Sequence, residues 1–222
     1  FSQGMEQEEA LYKVLAEMIT ASKNIRFEGD GYSDEWKEEA MRRGLTNISH
    51  VPEAIMRFND SQSREVLIGE NIFNENELIC RIEVELEKFT KKVQIESRVL
   101  GDLAINHIVP TAVIYQNRLL ENLRGLRETF SQVEYEMLGA DRRELVKEIQ
   151  FRILEIKQLV REMTEARRIS NRLTSQVEKA YSYEEKVRPY MEQIREHIDH
   201  LELEIDDEIW PLPKYRELLF TK

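Results

Sequence analysis

The stretch Thr90–Leu126, TKKVQIESRVLGDLAINHIVPTAVIYQNRLLENLRGL, decides the fold, because Pro110 interrupts an otherwise uniform helical pattern. Since proline lacks the backbone donor that a helix interior needs, we expect a bend of more than about 20° or a break there. Two apolar stripes flank the proline, and a step of five residues between them would turn the second stripe to another side of a straight helix. The first stripe comprises Ile82, Leu86, Phe89, Val93, Leu100, Leu103 and His107, and the second Ala112, Leu119, Leu123, Leu126, Phe130, Val133 and Met137.

Composition favours long amphipathic helices, with 34% charged residues, 41% hydrophobic residues and only 8 glycines among 222 residues. The net charge of −11 disfavours nucleic acid and anionic membranes as partners, because both attract clustered positive charge. No apolar run approaches the roughly 18 residues of a membrane span, and no secretory signal opens the sequence. Cys80, the single cysteine, is interpreted as a small buried hydrophobe. A soluble, cytoplasmic protein is expected.

Local signals mark the helix ends. An amphipathic helix is predicted over Glu6–Ile25, and Ser33 should cap a short second helix that ends before Gly44. Pro52 and Ser63 open two short helices in a linker. A capping box of Asn74 with Glu77 begins the long helix that reaches Pro110, and Gly139 closes the helix after the proline. A second box, Asp141 with Glu144, begins a helix that should reach Tyr181. Ser182 with Glu185 restarts the chain in a helix that should stop near Ile209.

Long helices joined by such short turns pack antiparallel, so the predicted fold is all-α: a bundle with a proline-interrupted central helix and smaller N-terminal helices. Residues 1–4 are interpreted as the remnant of a cleaved tag, 5–73 as N-terminal helices and linker, 74–209 as the bundle, and 210–222 as a docked C-terminal extension. The extension carries Trp210, Leu218 and Phe220, which need a partner surface. Packing on the bundle and docking on another domain are equally compatible with this pattern.

No catalytic, cofactor-binding or metal-binding residue is predicted. His197 and His200 lie one turn apart, but a polar helix surface explains them better than a metal site with Asp199 or Glu196. The turn Gly29-Asp30-Gly31 is too short for a phosphate loop. A polar strip that recurs every four residues is either an interhelical hydrogen-bond network, which is favoured, or a ligand pocket: Gln94, Arg98, Asp102 and Asn106.

Five segments, taken together and in this order, resemble the C-terminal part of type III glutamine synthetases. They are FEGDGYSDEW (27–36), RRGLTNISHVPEAI (42–55), KKVQIESRVLGDLAINHIVPTAVIYQN (91–117), LLENLRGL (119–126) and WPLPKYRELLF (210–220). The resemblance extends over residues 25–220, although residues 150–186 match only as a helical pattern.

The resemblance implies a large cytoplasmic enzyme that joins ammonia to glutamate with ATP and Mg²⁺ or Mn²⁺, assembled into stacked homo-oligomeric rings. The family's active-site motifs precede everything in this sequence, so no active-site residue is carried over. The expected role is an accessory domain for assembly, stability or regulation, inactive alone, with its own catalytic domain and neighbouring subunits as partners. An independent helical adaptor and a small-molecule sensor using Arg98 and Asp102 remain the alternatives.

Overall fold

The computed structural model describes residues 6–220, apart from the side chains of Tyr215 and Arg216. Within that range the regular structure is entirely helical, which confirms the all-α prediction. The residues interpreted as a tag remnant, 1–4, lie outside the described part of the chain. The chain divides into two compact units, Phe1–Ser49 and His50–Lys222. The second unit thus includes residues 50–73, which the sequence grouped with the N-terminal helices.

The first unit contains helices α1 (Gln7–Ala21) and α2 (Asp34–Arg42). Helix α2 has the predicted caps: the Ser33 hydroxyl oxygen accepts a hydrogen bond from the Trp36 amide at 3.2 Å, and Gly44 follows the helix with a φ of 71°. Arg43 ties α2 to the preceding loop, because its guanidinium donates to the Asn24 carbonyl at 3.1 Å. The same loop is held by stacking of Phe27 against Trp36, with ring centroids 4.9 Å apart.

The second unit is the predicted bundle, and its long helix α8 packs against α6 and α10. The shorter helix α3 packs against α5 and α9 at one side. The helices of this unit are α3 (Val51–Met56), α4 (Ser61–Gly69), α5 (Glu75–Leu103), α6 (Val109–Thr129), α7 (Gln132–Leu138), α8 (Ala140–Ser170), α9 (Gln176–Ser182), α10 (Arg188–Glu204) and α11 (Tyr215–Leu218).

The buried face of α5 runs through smaller residues than the sequence indicated. His107 is exposed, so its predicted place on this face is wrong, and Leu100 is only half-buried. At Gly101 an added Cβ would lie 3.4 Å from the Met163 side chain and 3.5 Å from that of Val160. The small side chains therefore allow α8 to approach closely. The face consists of Leu78, Ile82, Leu86, Thr90, Val93, Ser97 and Gly101, and continues through Ala104 and Ile108.

The chain stays helical through Pro110, so the predicted break is wrong, while the predicted bend stays a prediction. Between α5 and α6 the helix widens into one π turn, Ala104–Ile108, which we call the first π turn. The wider turn accommodates Pro110, which has no backbone N–H to donate, and keeps the proline ring away from the preceding carbonyl oxygens. A second π turn, Tyr183–Val187, stands at the same distance before Pro189 and joins α9 to α10.

Helices α6 and α8 both end earlier than predicted, and after α6 a local cap overrides the apolar period. Helix α6 ends at Thr129, and Ser131 caps α7 with a capping box, which leaves Val133 80% exposed. Phe130 and Met137 are likewise exposed, so these three residues are not part of the second buried stripe. Helix α8 ends at Ser170, well before Tyr181.

The capping box at Asn74 and Glu77 is present, whereas the box predicted at Asp141 and Glu144 and the helix start predicted at Ser182 are absent from the described structure. Helix α8 begins at Ala140 with Gly139 before it, so Asp141 is inside the helix. Ser182 lies within the continuous path from α9 through the second π turn to α10, and Ser175 is the residue that caps α9.

The C-terminal extension is docked on its own bundle through its first residues. Helix α10 ends at Glu204, earlier than the predicted Ile209, and Trp210 is 8% exposed within the main core. The Lys214 ammonium holds the extension by donating to the Glu202 carbonyl at 2.9 Å. The end of the extension points outward, since Phe220 is 81% exposed.

Candidate functional site

The structure divides the predicted polar strip of α5 into two parts. Asn106 donates a side-chain hydrogen bond to Asp102 at 2.6 Å, and this pair is local to one helix. Gln94 instead donates to the Asn171 side-chain oxygen at 3.2 Å, across to the end of α8. Arg98 follows Gln94 on the exposed edge of the same strip. The interhelical hydrogen-bond network that the sequence favoured is therefore present at the Gln94 end.

Tyr183, the first residue of the second π turn, is the centre of this network. Its ring is buried, and its hydroxyl donates to the Asn171 side-chain oxygen at 2.8 Å. Burial raises the pKa of Tyr183, so the hydroxyl keeps its proton, although the charges of Arg167 and Arg98 oppose the shift. The site thus joins α5, α8 and the second π turn around one phenol.

Arg167 contributes a half-buried guanidinium to the same cluster. Burial lowers the pKa of Arg167, and the positive charge of Arg98 lowers it further. Across residues 6–220, no carboxylate oxygen lies within 4.0 Å of a nitrogen of either arginine. Arg98 is one helical turn after Gln94 and Arg167 one turn before Asn171, so the Gln94–Asn171 hydrogen bond sets the two arginines on one side of the Tyr183 network. We call them the arginine pair.

A second polar cluster surrounds a buried carboxylate. The Glu184 side chain is 5% exposed and accepts hydrogen bonds from Arg188 at 3.0 Å and 3.2 Å. The ring of His50 is 3.1 Å from the same carboxylate through Nδ1. A buried carboxylate held by two cationic or polar partners is a structural ion pair that links the segment before α3 to the second π turn.

The two histidines considered for a metal site have different surroundings. The Nδ1 atom of His197 lies 3.3 Å from an Arg152 nitrogen, and its ring lies edge-on to Phe151 with centroids 6.0 Å apart. Burial lowers the pKa of His197, and the charge of Arg152 lowers it further. In the part of the chain that the structure describes, no group of three or more His, Cys, Asp or Glu side chains could hold a metal ion.

Cys80 is exposed, so its interpretation as a buried hydrophobe is wrong. Cys80 lies between Leu78 and Ile82, whose side chains are on the buried face of α5. A residue two positions away from either of them is on the outward face of the helix. The Gly29-Asp30-Gly31 segment is the turn that was expected, with the Tyr32 amide donating to the Asp30 carboxylate at 2.9 Å.

Helix α1 presents an apolar face that the other described residues of its own unit, up to Ser49, leave exposed. No residue of α1 is buried, although its sequence has the period of an amphipathic helix. The exposed side chains, which we call the α1 stripe, are Leu11, Val14, Leu15, Met18 and Ile19, with exposed fractions between 47% and 64%. A contiguous apolar face of this kind is typical of an interaction surface. Between residues 6 and 220 no helix is long and apolar enough to cross a membrane.

The fold and these surfaces define an all-α domain with exposed apolar faces and, in its described part, no assembled metal site. A family model described as the glutamine synthetase C-terminal domain matches residues 10–127, more than half of the chain. The chain therefore belongs to the glutamine synthetase C-terminal domain family, and the resemblance to type III enzymes stated from the sequence is confirmed.

Curated relatives agree with this family. A glutamine synthetase of Bacteroides fragilis (strain YCH46) is 70% identical over 220 residues, which are 99% of this chain and 30% of that protein. A type-3 glutamine synthetase of Dictyostelium discoideum is 28% identical over 219 residues, 96% of this chain and 29% of that protein. A glutamine synthetase of Butyrivibrio fibrisolvens is 32% identical over 120 residues. The chain thus spans less than a third of the length of these relatives.

Sequence reasoning found Gln94 and Arg98 through their spacing but missed their partners. Arg167 and Asn171 lie in a region that gave only a helical pattern, and Tyr183 was not singled out because π turns have no period of their own. The one available signal was Pro189, which marks the end of the second π turn as Pro110 marks the first.

Proposed function

We propose that this chain is the helical accessory domain of an enzyme that condenses glutamate and ammonia to glutamine with ATP, and that it serves the assembly and stability of that enzyme. Family membership supports the parent reaction, and the limited coverage of the relatives supports a separate catalytic region. We place the enzyme in the cytoplasm, as the sequence analysis expected, with its own catalytic domain and neighbouring subunits of a homo-oligomeric ring as partners.

The α1 stripe is the observation that carries this proposal. Five large apolar side chains at helical spacing are between 47% and 64% exposed and are not covered by the rest of their own unit, which is costly unless another surface covers them. In the proposed enzyme the catalytic region is the surface that covers them, because it joins the chain on the side of α1. The outward residues of the extension, Leu219 and Phe220, provide a second contact of the same chemistry.

ATP and a divalent metal belong, in this proposal, to the catalytic region alone. The histidine, cysteine and carboxylate side chains of residues 6–220 do not converge into a set that fits a divalent metal. The net charge of −11 also opposes binding of a triphosphate. The accessory domain therefore contributes surfaces for assembly, and no step of the ligase reaction is assigned to its residues.

The test uses the full-length enzyme with two matched double variants of α1. Leu15→Ser with Met18→Ser removes the centre of the stripe, and Lys13→Ser with Glu17→Ser alters the opposite side without changing the net charge. We expect the stripe variant to dissociate or to lose glutamine formation, measured by light scattering and by product assay. The control should assemble and react normally. Equal assembly of both variants would contradict the proposed docking.

The isolated 222-residue chain provides an independent test. We expect it to form no glutamine and to bind ATP with magnesium no more tightly than millimolar concentrations, as titration calorimetry would measure. Micromolar binding of ATP to the isolated chain would show that a nucleotide site lies inside it.

A further inference from the structure

The arginine pair is unusual because it has no carboxylate partner in the described residues, although the chain has more acidic than basic side chains. Asp and Glu number 43 against 32 Lys and Arg, and most half-buried arginines of the described chain have a carboxylate partner. Arg143 and Arg152, for example, pair with glutamates at 3.0 Å and 2.8 Å. The half-buried Arg167 and the exposed Arg98 flank the Gln94–Asn171 hydrogen bond at one helical turn from it, and no carboxylate oxygen of residues 6–220 is within 4.0 Å of their nitrogens.

Helix ends explain only part of this arrangement. Arg167 is in the last turn of α8, where the negative end of the helix dipole stabilises a cation. Arg98 is well inside α5 and receives no such stabilisation. Two like charges that share a partly dehydrated site repel each other, and an anion between them would turn that repulsion into attraction.

The neutral groups of the cluster are arranged to help an anion. The Asn171 side-chain oxygen already accepts from Gln94 and from the Tyr183 hydroxyl, so the Asn171 amide nitrogen keeps its two donors. Guanidinium groups supply planar pairs of donors that match the oxygens of a carboxylate or a phosphate. The buried Tyr183 ring fixes one wall of the site, and its hydroxyl orients the Asn171 amide group.

We propose that Arg98, Arg167 and Asn171 form a binding site for a small oxyanion, a phosphate or carboxylate group, on the face where α5, α8 and the second π turn meet. The site lies outside the ligase reaction and does not depend on the proposed docking of α1. It gives the domain a way to respond to an anionic metabolite, because a bound anion would link three elements of the bundle.

The experiment titrates the 222-residue chain with inorganic phosphate and, separately, with succinate, at constant ionic strength set with chloride. Arg98→Gln and Arg167→Gln each remove one guanidinium, and Arg161→Gln is the matched control, an exposed arginine of α8. We expect saturable shifts of the Arg98 and Arg167 side-chain NMR signals in the parent chain. Binding should weaken at least tenfold in either site variant and remain unchanged in the control.

Phosphate binding alone would identify a phosphate-group site, succinate binding alone a carboxylate site, and binding of both a site for oxyanions in general. Saturation by neither probe, or equal binding to Arg167→Gln and Arg161→Gln, would overturn the proposal.

Thermal unfolding provides a second measurement that a purely structural role of Arg98 would not reproduce. Without an anion, Arg98→Gln should unfold at a higher temperature than the parent chain, because it relieves the repulsion from Arg167 and removes no interaction with a helix end. With the binding anion added, the parent chain should gain more stability than the variant, since a ligand stabilises the state that binds it. A lower unfolding temperature for Arg98→Gln without any anion would show that the chain itself satisfies this guanidinium, and would overturn the proposal.

Discussion

Replacing Trp210 by alanine tests whether the C-terminal extension is part of the bundle. The side chain is 8% exposed, so nearly all of the roughly 200 Å² that a tryptophan can bury is removed from water. At about 25 cal/mol per Å² this burial corresponds to about 4–5 kcal/mol, within the range of about 3–5 kcal/mol measured for large aromatic residues replaced by alanine. For a chain of 222 residues, about 4 kcal/mol corresponds to a fall in Tm of roughly 10 °C.

The matched control is Phe220→Ala at the end of the same extension. Phe220 is 81% exposed, so its removal should change the free energy of unfolding by less than about 0.5 kcal/mol. Urea unfolding followed by far-UV circular dichroism measures both variants without relying on tryptophan fluorescence. If Trp210→Ala were within about 1 kcal/mol of the parent chain, or if Phe220→Ala cost as much, the extension would not be docked through Trp210.

Further variants test packing, protonation and capping. Gly125→Ala meets open space in a helix and should raise the free energy of unfolding by about 0.5–1 kcal/mol, whereas Gly101→Leu should lower it by about 1–3 kcal/mol through overpacking; urea midpoints would show both. Because burial lowers the pKa of His197 from its ordinary value of 6.5, the folded chain favours the neutral ring, so stability should fall as the pH drops below about 6.5. His197→Asn should reduce this loss and the exposed control His107→Asn should not, and parallel slopes for all three chains would contradict the assignment. Ser33→Ala should lower the local stability of the first turn of α2 by about 1 kcal/mol. Amide hydrogen exchange should therefore be roughly fivefold faster in that turn and unchanged in α5.

The fold could be predicted wherever a local signal and the apolar period agreed. Ser33 and Gly44 gave both ends of α2, and Asn74 with Glu77 gave the start of α5, because capping depends on a few neighbouring residues. The apolar period gave a wrong prediction at His107, which is exposed. The buried face runs through small side chains instead, and only the close packing with α8 explains why they are there. The period failed again after Thr129, since Ser131 begins a new helix although the apolar spacing continues.

The candidate site shows the same division. The strip containing Gln94 and Arg98 could be predicted because residues four apart share a helix face. Its partners Arg167 and Tyr183 are far away in sequence and come together only through the packing of α5, α8 and the second π turn. The exposure of the α1 stripe could not be predicted either, because an amphipathic pattern looks the same whether or not the chain itself covers the face.

The two π turns have a consequence for how the bundle can change its sequence. One extra residue in an α-helix rotates everything beyond it by about 100°, and a π turn confines that rotation to a single place. Helices α6 and α10 both pack on α8, and each follows a π turn. The face that α6 or α10 turns toward α8 is therefore independent of the helix that precedes it, α5 or α9. Gain or loss of one residue at Ala104–Ile108 or Tyr183–Val187 can therefore be taken up within the π turn, without turning the apolar face of α6 or α10 away from α8.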